Sequence, residues 1–146
     1  AGENRFSFPT PTPEKINSLF SALSDVAGYI FVDCTNDETD EISKKAILTA
    51  DKAIRVISPD LKGMSWYSSN KNTDRTEGEN LLNVVNITER ELYLPIEEAC
   101  STLNSVTDVL PYSKALKRQM LDGRMYERLN DRVYTKKLQS LVSKIL

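Results

Sequence analysis

The chain opens its pattern with a run of apolar positions at helical spacing. Ile16, Leu19, Phe20, Leu23, Val26 and Ala27 recur so as to fall on one face. Thr12 suits the N-cap of that helix, with Pro13 at its first position and Glu14 in its first turn. Tyr29 to Cys34 (YIFVDC) is different: large apolar residues in unbroken succession, then an aspartate. The run is short and rich in β-branched and aromatic side chains, so it predicts a strand buried on both faces. Asp33 would stand at the carboxyl end of that strand, the edge at which open α/β sheets bind ligands. The plainer reading is that Asp33 caps its own loop.

Three further apolar runs follow. Asp51–Pro59 carries Ala53, Ile54, Val56 and Ile57; Leu81–Asn86 (LLNVVN) ends in a polar side chain; Val106–Pro111 (VTDVLP) is shorter. Arg5–Phe8 is a weaker strand candidate near the start. Between the runs lie helical patterns over 37–50, over about 61–69, where Gly63 weakens the helix, and over 95–104, where Ile96, Ala99, Cys100 and Leu103 align. The helix from Asp37 is acidic at its start and carries Lys44 and Lys45 further on, as the helix dipole prefers. Asn70 to Asn80 is polar and reads as an exposed loop. Alternating strands and helices predict an α/β fold: three layers, a mostly parallel sheet flanked by helices. Residues 1–111 form the sheet core in this reading. Residues 112–146 form a basic helical segment packed on the same domain.

Composition narrows the chemistry. At 146 residues the chain is long enough for one domain with a true core, and 40% apolar with 27% charged residues is ordinary for a globule. There is no histidine, which removes His-based triads and His metal ligands. Cys34 and Cys100 stand alone and read as small core residues in a reducing compartment. No apolar stretch is long enough to span a bilayer, and the expected location is the cytoplasm.

Charge is uneven. Residues 1–111 hold 10 Lys and Arg against 18 Asp and Glu, whereas residues 112–146 hold 9 against 3. The basic segment ends in an amphipathic pattern with Tyr134, Leu138, Leu141, Val142 and Ile145 on one face and Lys136, Lys137 and Lys144 off it. The expectation is a packed helix with solvated lysines. Attachment to an anionic membrane surface is the alternative, placing the protein peripherally at the membrane. Nucleic acid is less favoured, because the tail lacks interleaved aromatics for stacking.

The order of motifs resembles the second half of the MinD/ParA group of P-loop ATPases, and within it the TadZ or CpaE-like pilus-assembly branch. The residues that carry the resemblance are YIFVDC ending in Asp33, Ala50-Asp51, Ser58-Pro59-Asp60, the strand ending in Asn86, and Leu110-Pro111-Tyr112. It covers roughly residues 5 to 145. It implies a P-loop NTPase-like fold, incomplete here, with Asp33 as the Walker B aspartate near magnesium. It implies that Asn86 bonds the adenine edge and that Pro111 and Tyr112 border the base. For Asn86 the competing reading is a loop cap, and for Tyr112 a ring at the edge of the core. The acidic cluster Asp37, Glu38, Asp40 and Glu41 could hold a divalent cation, or could simply serve a helix start.

The family's phosphate-binding loop is missing from this sequence. None of the five glycines precedes Lys-Ser or Lys-Thr, so nothing here has the Gly-rich loop that cradles phosphates. Two functional expectations follow. The chain is part of a nucleotide-dependent positioning or assembly ATPase, supplying the Walker B and adenine-side half, with ATP and magnesium bound in the complete protein and the P-loop supplied from a preceding part. Alternatively it is a degenerate, non-catalytic scaffold or partner-binding module. In both, the chain alone is expected to be inactive as an ATPase and to bind no cofactor tightly, and a protein partner or self-association is expected.

Overall fold

A computed structural model of the chain describes residues 11–37, 39–70, 80–92 and 94–146. The expected Arg5–Phe8 strand, Glu38 of the acidic cluster, and 71–79 of the polar loop lie outside them. The chain forms two compact units, residues 1–50 and 51–146.

In the first unit, helices α1 (Pro13–Val26) and α2 (Glu41–Thr49) pack together. Thr12 caps α1 with Pro13 at its first position, as its sequence dictates. Ile16 and Ala46 are buried, and Ser43 of α2 is buried with its hydroxyl accepting from Thr35 N–H at 3.1 Å. The helix expected from Asp37 starts later, because Asp40 supplies the cap: Ser43 N–H donates to its Oδ2 at 2.9 Å.

The Tyr29–Cys34 run is not the buried strand that its composition suggests. It has no regular secondary structure, and Tyr29 and Phe31 are 71% and 83% exposed. An apolar run can specify a wish for burial but not a partner, and a strand exists only with a neighbour to bond.

The second unit holds a parallel sheet of three strands, β1 (Ala53–Ile57), β2 (Leu81–Asn86) and β3 (Val106–Leu110), in the order β1-β2-β3. Helix α3 (Leu61–Asn70) links β1 to β2, and α4 (Ile96–Thr102) links β2 to β3. Two crossovers of one hand moving in one direction put both helices on one face. On that face Ile57, Met64, Tyr67, Val85, Ala99 and Leu103 form a buried cluster. The opposite face is covered by α6 (Arg132–Ile145), with Tyr134 and Leu141 buried against Val84 and Leu110. Helix α5 (Lys114–Leu121) contributes Leu116 beside them. The architecture is thus an α/β sheet flanked by helices.

A register irregularity between Asn83 and Val84 leaves Thr107 as an extra residue in β3. Val106 and Val109 consequently pack on the α3/α4 face, while Leu110 packs on the α6 face. Asp108 is buried in the same strand.

Gly63, which looks like a weak point in α3, is required there. A Cβ on it would run into the carbonyl oxygen of Ser58. The helix sits directly on the end of β1, and only glycine permits that approach.

Candidate functional site

Parallel strands end together, so the carboxyl edge of the sheet gathers the residues that follow each strand. Asn86 is the last residue of β2 and pairs in register with Leu110, the last of β3. Ile87 N–H donates to Leu110 O at 3.0 Å and extends the pairing by one step. Pro111 and Tyr112 follow at once. The structure therefore brings Asn86, Pro111 and Tyr112 to one edge, at the ends of two adjacent strands.

Each of the three is half-buried. Among the described residues no hydrogen bond falls on the Asn86 side chain, so its amide does not cap its own loop. The described residues leave both its donor and its acceptor unused. After Tyr112 the chain turns into α5 through Ser113, a buried N-cap whose hydroxyl accepts from Leu116 N–H at 3.1 Å. That cap fixes the Pro111-Tyr112 segment between a strand end and a helix start.

Two residues at this edge have no signature in the sequence. Lys117 Nζ reaches both oxygens of Glu89, at 3.0 and 2.9 Å, and so ties the loop after β2 to α5. The Glu89 carboxylate, through that bond and its charge, holds the Lys117 ammonium above its usual range, with Tyr112 adding in the same direction. The pair is 28 residues apart in sequence, and two exposed charges at that distance carry no periodic signal. Ser113 had a better one, since Ser before a helical run is a common cap.

The end of β1 joins the same edge. Asp60 caps α3, accepting from Gly63 N–H at 2.7 Å and from the Ser58 hydroxyl at 2.6 Å. These bonds, the Gly63 N–H first, hold its carboxyl below the ordinary range. Asp60 is a structural residue here, as its position before Leu61 suggests.

Asp33 belongs to the first unit, on an exposed irregular segment. Of the acidic residues after it, Asp37, Asp40 and Glu41 are engaged with their neighbours. Asp37 Oδ1 accepts from Thr39 N–H at 2.8 Å and from the Thr39 hydroxyl at 2.7 Å. Asp40 caps α2, and Glu41 pairs with Lys44 at 2.7 Å. Among the described residues no group of three or more His, Cys, Asp or Glu side chains could hold a metal ion. A single carboxylate such as Asp33 suits magnesium only as one ligand among waters and substrate phosphates.

No described helix is long and apolar enough to cross a membrane. Compared with protein-family models, with curated proteins and with solved structures, the chain matches none.

Proposed function

We propose that this chain is the Walker B and adenine-side half of a nucleotide-dependent positioning or assembly ATPase of MinD/ParA type. The observation that carries the reading is the register of Asn86 against Leu110 at the carboxyl edge. A half-buried, uncommitted amide stands there beside a proline carbonyl and a tyrosine ring. A planar base needs that set: a paired donor and acceptor on its edge and flat apolar contact on its face. The amide geometry favours adenine, which offers an acceptor and a donor side by side, over guanine, which offers two acceptors there. Asn86, Pro111 and Tyr112 would hold the base. Asp33 would contribute to magnesium through water, and the bound metal would supply charge neutralisation at the phosphates. The P-loop that cradles those phosphates would come from a preceding part of the protein.

The test is titration of the chain with ADP, followed by the amide resonance of Asn86 and the ring resonances of Tyr112. Weak, saturable shifts are expected, stronger for ADP than for GDP. Asn86→Ala should weaken binding by about tenfold, the worth of one good hydrogen-bonded pair. Equal response to both nucleotides, or indifference to Asn86→Ala, would sink the reading.

A second reading, a non-catalytic scaffold, is favoured by a different surface. Leu121, Met125 and Tyr126 are exposed at the turn between α5 and α6, within the basic segment. Exposed apolar side chains within a segment that holds more Lys and Arg than Asp and Glu suit an acidic protein partner.

A further inference from the structure

The two outer edges of the sheet are treated differently. The β3 edge carries the irregularity at Thr107, and the Thr107 carbonyl accepts from Lys144 Nζ at 3.0 Å. A bulge and a lysine are the usual devices that stop a strand edge from recruiting another strand. Among the described residues the β1 edge shows neither. Ala53 N–H donates to Asn80 O at 2.9 Å, which fixes the phase of the parallel ladder. Ala53, Arg55 and Ile57 turn their backbone groups toward β2, so Ile54 and Val56 turn theirs outward. Among the described residues no hydrogen bond falls on those outward groups. The side chains of Ile54 and Val56 are exposed as well.

The same chain holds a segment with the opposite deficit. Tyr29, Ile30, Phe31 and Val32 are all exposed, are all strong strand formers, and belong to no strand. Four adjacent large apolar side chains in water are a standing drive toward burial. No charge interrupts them before Asp33.

We infer that two copies of this chain associate by strand exchange: the Tyr29–Val32 run of each copy adds to the β1 edge of the other as a fourth strand. Among the described residues donor and acceptor occur once each, so two copies satisfy both and the assembly closes with twofold symmetry. A heterologous partner would leave either the run or the edge unfilled. The 20-residue separation of Asp33 from Ala53, which includes α2, gives the donor segment room to reach. Strand addition uses main-chain bonds for affinity and alternate side chains for fit. Nucleotide plays no part in it.

The experiment is light scattering of the full chain over a dilution series without nucleotide, with hydrogen exchange at both ends of the series. A dimer is expected, with the amides of Ile54, Val56 and 30–32 protected when concentrated and unprotected when dilute. Val56→Pro removes an outward N–H and spares the bonds to β2, because proline is tolerated at an outward position of an edge strand. Phe31→Asp puts a charge in the donor run, at a side chain already in water. Each should weaken the dimer by about tenfold or more with circular dichroism unchanged. If Val56→Pro fails to fold, Phe31→Asp decides alone. A monomer at every concentration overturns the inference, as does a dimer that ignores Phe31→Asp.

Discussion

Lys144 Nζ donates to Asp108 Oδ2 at 2.9 Å, joining the last turn of α6 to the middle of β3. Asp108 is 6% exposed at its side chain, and Lys137 approaches its other oxygen at 3.4 Å. Burial pushes the carboxyl up, but the Lys144 bond, the Val109 N–H and the two ammonium charges outweigh it, and the group ends below its ordinary range. The lysines keep about half their surface in water, so the pair avoids most of the desolvation that makes buried ion pairs unprofitable.

Asp108→Asn should therefore destabilise the second unit by about 1–2 kcal/mol, the scale of hydrogen bonds to a charged group. The pH dependence has a definite sign. A depressed folded pKa means the contribution is complete above the ordinary carboxylate value of 3.8 and is lost as pH falls through the lower folded value. Urea melts at neutral pH and near pH 3 should show the wild-type advantage over Asp108→Asn shrinking on acidification. An advantage that grows instead would show that Asp108 is not stabilised as the anion.

Gly63→Ala sets two effects against each other. Alanine gains about 1 kcal/mol of helix propensity. Its Cβ, however, meets the Ser58 carbonyl, and backbone cannot swing aside as a flexible side chain could. Overpacking of this kind costs about 1–3 kcal/mol, so a net loss of stability is expected in thermal melts. A rise in Tm would mean that α3 shifts on β1 more freely than its contacts indicate.

How much of this was legible in the sequence depends on what each residue needed. The bounds of β2 could be read directly, because LLNVVN lies in the centre of the sheet with a neighbour on either side. YIFVDC has the same character and forms no strand, since no pattern within a run states who pairs with it. Asn86 and Pro111 could be brought together from sequence, as both end parallel strands. Glu89 and Lys117 could not, since their meeting depends on how a loop and a helix return. Lys137 and Lys144 read as solvated lysines, because their partner Asp108 is a polar residue inside a short apolar run. The bulge at Thr107, which aims Asp108 at α6, breaks the two-residue alternation that would have revealed it.

The apolar face of α6 was also only partly legible. Leu141 is 5% exposed, but Leu138, on the same helical stripe, is 40% exposed. Leu141→Asp buries a charge without a partner and should cost about 3–5 kcal/mol, a large share of the stability of a small domain. Leu138→Asp should cost about 1 kcal/mol or less, as marginal surface sites do. Equal losses at both positions, measured by urea melts, would show that the packing of α6 differs from the arrangement of Tyr134 and Leu141 against Val84 and Leu110.

Catalysis supplies the last expectation. Phosphoryl transfer depends on positioning a triphosphate and neutralising its charge, and little else. In this sequence no glycine precedes Lys-Ser or Lys-Thr, and Asp37, Asp40 and Glu41, which follow Asp33, are held by Thr39, Ser43 and Lys44. In the proposed reading Asn86, Pro111 and Tyr112 would orient the base and would touch none of the reacting atoms. Phosphate release from ATP and magnesium by this chain alone should equal the protein-free control. If the proposed function holds, adding a polypeptide that bears the P-loop half should give turnover, and Asp33→Ala should then abolish it without changing the proposed contact of Asn86 with the base. Turnover by the chain alone that disappears in Asp33→Ala would refute the division of labour, because one carboxylate would then be doing work assigned to a separate loop.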